Sequence, residues 1–134
     1  MSLSNTTENA ALKCFLQGTD PSYRAGPTQY LALFTADPGE AASLAAEANY
    51  TGYARVALTK AIAWTDGGAT FTNSALIQFG QCTAGSNALT HFAVVDTASG
   101  AVAMMISGAL SSTLNVTAGI QPQFSGGALS ISAD

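Results

Sequence analysis

Charge is what this chain has least of. Lys and Arg number four and Asp and Glu eight, so charged residues make up 9% of 134, against about 25% in an average soluble domain. Lys13, Arg24, Arg55 and Lys60 are too few to build a basic patch that neutralises several phosphates, which argues against nucleic acid as a partner. One histidine, His91, and two cysteines far apart, Cys14 and Cys82, do not make a zinc site. Neither cysteine belongs to a CxxC pair, so two buried, reduced thiols are expected rather than a disulfide. No stretch approaches the ~20 continuous apolar residues of a membrane span. The opening "MSLSNTTENAALKCFLQG" has no basic start and no long apolar run, so no secretory signal is expected. The Asn-x-Ser/Thr triplets at Asn5, Asn49 and Asn115 then carry no weight as glycosylation sites.

What the chain does have is small and apolar. Hydrophobic residues are 48%, and a chain of this length suits one domain, 1–134, able to bury roughly 65–70% of its unfolded surface. A skin of Ala, Ser, Thr and Gly is cheap to desolvate against a neighbour, which favours a protein that assembles. Asn5 with Glu8 resembles a capping box. Ala11, Leu12, Phe15 and Leu16 share one helical face, and Gly18 stops the helix ahead of Pro21. Beyond it the period changes. Short strand-like runs follow at 30–35, 53–58, 61–64, 69–72, 75–79, 89–95, 101–110, 113–118, 121–125 and 128–132, separated by turn residues such as Asp66-Gly67-Gly68 and "DTASG" at 96–100. Such spacing predicts an all-β, antiparallel sandwich with one short N-terminal helix. The inward positions are read as Leu33, Phe79, Phe92, Val94, Met104, Ile106, Leu129 and Ile131. A long loop, 37–52, follows the strand at 30–35; its "EAASLAAEA" could form a short helix.

The search for chemistry yields little. Cys82, His91 and Asp96 are the right types for a nucleophilic set, but "GQCTAGS" around Cys82 lacks the strand–turn–helix context that activates one. In simple alternation His91 shares a face with Leu89, Ala93 and Val95, and a lone strand histidine is usually structural. Asp37, Glu40, Glu47, Asp66 and Asp96 are scattered, with no EF-hand pattern. Glu40 and Glu47 flank a cleft only if their separation suits it. No GxGxxG or phosphate loop is present. The chain is therefore expected to be no enzyme, with no catalytic, cofactor-binding or metal site. If it binds a glycan, Tyr23, Tyr30, Tyr50 and Tyr53 are the candidate rings.

"LSNTTENAALKCFLQGT", "YLALFTADPGEA", "NYTGYARVAL", "ALIQF", "LTHFAVVDTASG" and "GIQPQFSGGALSIS", in that order, resemble small virion proteins of tailed bacteriophages, labelled capsid cement, decoration or tail-fibre-type proteins. The resemblance runs from Leu3 to Ser132. It implies a jelly-roll-like β-sandwich present in many copies, with no enzymatic role. It implies a protein made in the bacterial host cytoplasm and mounted on the capsid exterior. There it would cement the shell, with the major capsid protein and copies of itself, as dimer or trimer, for partners. The alternative is a tail or head appendage that binds a host receptor or glycan. On either reading, residues 1–18 and 37–52 are expected to carry the contacts between subunits.

Overall fold

Strand β2 (Thr28–Phe34) is buried on both of its faces. Leu31, Ala32, Leu33 and Phe34 are all fully buried, so the run does not alternate between core and water. The two faces feed two apolar clusters, and the rest of the chain is arranged to cover them. The computed structural model describes residues 2–132.

Around β2 lies a five-stranded antiparallel sheet, ordered β1 (Ser2–Leu3), β8 (Met104–Val116), β7 (Asn87–Val95), β2 and β3 (Val56–Thr59). A three-stranded sheet orders β10 (Ser130–Ser132), β5 (Thr70–Asn73) and β4 (Trp64–Asp66); a two-stranded one pairs β6 (Ile77–Gln78) with β9 (Gln123–Phe124). The main core joins all three: Leu31, Leu33, Phe92 and Val94 from the large sheet meet Ile77 and Phe124 of the two-stranded one, with Trp64 and Ile131 of the three-stranded one packed against them. Every pairing is antiparallel. This is the expected all-β sandwich, with its strands divided five, three and two. Helix α1 (Asn5–Gln17) precedes the sheets, and a one-turn helix α2 (Lys60–Ala63) lies between β3 and β4. Among the described residues no helix is long and apolar enough to cross a membrane.

The opposite face of the large sheet forms the second cluster: Ala32, Phe34, Ala93, Val95 and Met104, covered by Ala42, Leu44, Ala46 and Val102. Three of those covering residues belong to the loop between β2 and β3. That loop is no helix; "EAASLAAEA" runs through successive turns, with Ala42 N–H bonding Gly39 C=O and Glu47 N–H bonding Leu44 C=O. Its Ala-rich composition serves flat packing on the sheet, which overrides helix propensity.

Two irregularities between β7 and β8 decide which residues face which cluster. From Leu89↔Leu114 to His91↔Ala109, β8 takes up extra residues opposite Thr90; from Val94↔Ile106 to Val95↔Met104 it takes up Met105. Such bulges shift one strand's face against the other. Leu89 therefore joins Phe92 and Val94 in the main core, while Ala93 and Val95 face the second cluster. The simple alternation grouping Leu89 with Ala93 and Val95 does not hold. Of the eight expected inward residues, Leu33, Phe79, Phe92, Val94 and Leu129 are buried in the main core; Ile106 and Ile131 pack against it half-exposed, and Met104 sits in the second cluster.

Other expected boundaries move for local reasons. Of the run at 61–64 only Trp64 is strand, opening β4; the chain must turn from the large sheet into the small one, and α2 makes that corner over 61–63, with Lys60 N–H bonded to Pro27 C=O. The runs at 101–110 and 113–118 merge into one long β8. The helix cap is Ser4 rather than Asn5; Ser4 Oγ accepts from Thr7 N–H at 3.2 Å. Gly18 ends α1 in the left-handed conformation, as its place in the sequence implies. Phe92 is 1% exposed, and Phe92→Ala is expected to cost about 3–5 kcal/mol in chemical denaturation. A loss below about 1 kcal/mol would contradict its place in the core.

Candidate functional site

The loop between β2 and β3 extends the sheet edge where β3 stops. β3 pairs with β2 from Thr28 to Leu31. Further along, Ala48 N–H bonds Leu33 C=O, Leu33 N–H bonds Tyr53 Oη at 3.1 Å, and Thr35 N–H bonds Ala46 C=O. The exposed edge that invites pairing with other chains is thereby closed. Glu47 fixes this segment. Arg55 grips its carboxylate with two N–H groups, Nε at 2.7 Å and Nη2 at 2.8 Å, and Tyr53 donates its hydroxyl to Oε1 at 2.9 Å. The remaining Arg55 donors reach the carbonyls of Thr97 and Gly100, in the turn between β7 and β8. The pair is largely buried, with side chains 4% and 16% exposed. Asn87 holds the loop's far end, accepting from Asn49 and Tyr50 N–H on its Oδ1. Gly80 is pressed onto the loop so closely that a Cβ there would lie 1.9 Å from Gly52 O.

Two features face outward instead. The first is α1. Its N-terminus is sealed to β8, where Ser4 and Thr7 hydroxyls both donate to Met104 C=O, yet no helix residue is buried. Leu12, Phe15 and Leu16 are 59%, 83% and 80% exposed. The second is a groove of about 470 Å³ between the turn at Ser22–Arg24, strand β2 and the β4–β5 hairpin, bordered by Tyr23, Trp64 and Phe71.

A family model described as "Podophage GP4 fiber I protein gp80" matches residues 2–132. The chain belongs to this family. It is a structural protein of a tailed-phage virion, as the sequence resemblance implied. No individual curated protein matches it.

The residues weighed for catalysis are each engaged locally. Cys82 is fully buried, its thiol turned to the carbonyls of Ala84 and Gly85. His91 Nδ1 lies 2.8 Å from Thr90 Oγ1, and Asp96 accepts from Ala103 N–H at 2.7 Å. Both cysteines are free thiols, but Cys14 is only half-buried, because α1 stands off the sheet. Among the four tyrosines, Tyr50 is in the main core and Tyr53 packs against it; Tyr30 packs on the second cluster, and Tyr23 alone reaches the groove. Trp64 and Phe71 complete that aromatic border. The sequence hid them because both fall in strand-like runs, where a ring is read as core.

Arg55→Met strands the Glu47 carboxylate in a largely buried site and is expected to cost about 3 kcal/mol in urea unfolding. Adding Glu47→Gln recovers part of that loss; a single-variant loss under about 1 kcal/mol would deny the clamp its role. Burial pushes the phenols of Tyr53 and Tyr50 above their ordinary value of 10.0. Their neutral forms are favoured in the folded state, so this stability is complete below pH ~10 and falls as the unfolded phenols ionise above it. The urea midpoint should drop as pH rises beyond ~10, and less steeply in Tyr53→Phe; equal slopes would contradict this.

Proposed function

We propose that the chain is a building block of a fibre-type virion appendage, joined to further copies of itself through the apolar face of α1. The observation that carries this reading is a helix of 13 residues that buries none of them, attached at its N-terminal end, with Leu12, Phe15 and Leu16 open to solvent. Such a helix is marginal without tertiary packing, and adjacent large apolar side chains on a surface mark a contact site. A second copy is the occupant proposed. Symmetric homo-oligomers place the same patch against its equivalent, and a chain with 9% charged residues meets its own copy with few charges to desolvate. The family description, a fibre protein, favours an appendage over the capsid shell expected first from the sequence. The loop at 37–52, expected to clamp a neighbour, packs on its own sheet, which leaves α1 as the contact arm.

The wild-type chain is expected to sediment as a dimer or trimer, and the variant carrying Leu12→Glu, Phe15→Glu and Leu16→Glu as a monomer with its unfolding free energy changed by less than ~1 kcal/mol. A wild-type monomer, or a variant that still assembles, would overturn the helix contact. Copy number in purified virions tests the location. Fewer copies than the major capsid protein by an order of magnitude fit an appendage, and near-equal numbers would assign the chain to the shell as a cement.

A further inference from the structure

We propose that the groove bordered by Tyr23, Trp64 and Phe71 is a binding site for a saccharide that carries a carboxylate. Its construction differs from ordinary surface relief. In the β4–β5 hairpin Trp64 pairs with Asn73 and Phe71 lies two residues before Asn73, so the two rings stand diagonally on one face of the hairpin. The opposite wall is the turn carrying Tyr23. It is tied down by Lys60, whose ammonium donates to Tyr23 C=O at 2.6 Å and to Arg24 C=O at 3.4 Å. Between the walls lies Gln29 of β2. It is 8% exposed and borders the groove. Its backbone is held in the β2–β3 ladder, but its side-chain amide makes no hydrogen bond to any described residue. Its amide atoms therefore open to solvent in the groove, where two N–H donors and an oxygen with two acceptor positions stand free for a ligand.

The chemistry that fits is a sugar ring. Its C–H face packs on aromatic surface, and its hydroxyls both give and take hydrogen bonds, matching an amide that does the same. The sign of the charge follows from the border. Arg24 and Lys60 are two of only four cations in a chain of net charge −4, both border the groove, and no Asp or Glu does. Asp20 pairs with Arg24 through one nitrogen, Nη1, at 2.5 Å, leaving the other guanidinium donors outside that pair; the Lys60 ammonium keeps a third N–H beyond the two carbonyls. A carboxylate on the sugar meets donors on that side. The inference goes beyond the assembly reading, since nothing in it requires α1.

Trp64 is the chain's only tryptophan, so its emission reports on the groove directly. The isolated wild-type chain is titrated with tetragalacturonic acid and, as the neutral probe, with cellotetraose. A saturable change in emission is expected with the uronate, with affinity for cellotetraose roughly tenfold weaker. Gln29→Ala and Arg24→Gln should each weaken uronate binding by about tenfold. Arg24 has a side chain 67% exposed, so its replacement tests the site without threatening the fold. No saturable change with either sugar overturns the proposal. So does equal affinity for both sugars combined with an unaffected Arg24→Gln variant, which would remove the carboxylate. An emission change that tracks protein concentration alone would mean that a second copy fills the groove, and also overturns it. Repeating the titration on the variant changed at Leu12, Phe15 and Leu16 separates the two readings: binding retained in a monomer leaves the sugar site standing even where the helix contact fails.

Discussion

The ion pair between Glu47 and Arg55 is the constraint on which the arrangement depends. It joins two segments that no strand pairing connects: the loop that closes the free edge of β2, and the turn between β7 and β8, reached through Thr97 and Gly100. Tyr53 adds a second tie, since its hydroxyl gives its proton to Glu47 and accepts from Leu33 N–H. One carboxylate thus fixes the loop, the edge of the central strand and the far turn at once. A buried pair of this kind adds little net stability over apolar packing, but it penalises any arrangement that separates its members. Here the arrangement it enforces is the loop lying across the second cluster, where Ala42, Leu44 and Ala46 cover Phe34 and Val95.

That cover explains why a central strand with two apolar faces is tolerated in a small sandwich. A sheet between layers on both sides needs a third layer, and this chain makes one from a loop of small residues. Close backbone contact follows, and glycine is required where it occurs. Gly52 adopts φ 102°, a conformation that L side chains rarely take, and the backbones at Gly52 and Gly80 meet with no room for a Cβ. Where β5 meets the segment joining β9 to β10, Asn73 plays the corresponding role. Its side chain donates to the carbonyls of Ala75 and Ser125 and accepts from Leu129 N–H, holding together the strands that pairing alone leaves short.

Strand spacing and turn chemistry were legible in the sequence because both are local. The Asp66-Gly67-Gly68 turn forms as read, with Asp66 accepting from Gly68 N–H, and α1 ends at Gly18. What could not be read depends on partners distant in sequence. The bulges of β8 arise from its register against β7, and they reassign Leu89 from one face to the other. The cap moved from Asn5 to Ser4 because Ser4 also reaches Met104 C=O across the sheet. Residues 61–63 have strand composition but must turn a corner. For the loop, the usable signal was charge: Glu47 and Arg55 are an opposite pair in a chain where charge is scarce, and scarce charges are the ones with a structural task. The aromatic groove was illegible because its rings come from the turn at Ser22–Arg24, from β4 and from β5, which only the fold brings together.

The two outward features differ in chemistry, and that difference bears on how a virion protein divides its surface. Leu12, Phe15 and Leu16 open an apolar patch on the last turns of α1, which suits a permanent contact made once, on assembly. The groove sets aromatic rings beside an amide and two cations, and nothing in the chain's own fold satisfies that amide. Polar groups left waiting in a concave site suit a ligand that comes and goes, because each hydrogen bond formed replaces one made with water. Different residues make the two features: Leu12, Phe15 and Leu16 of α1 make the one, while the turn at Ser22–Arg24, β2 and the β4–β5 hairpin make the other. Repetition of a subunit joined through the helix would multiply a weak saccharide contact into a strong one.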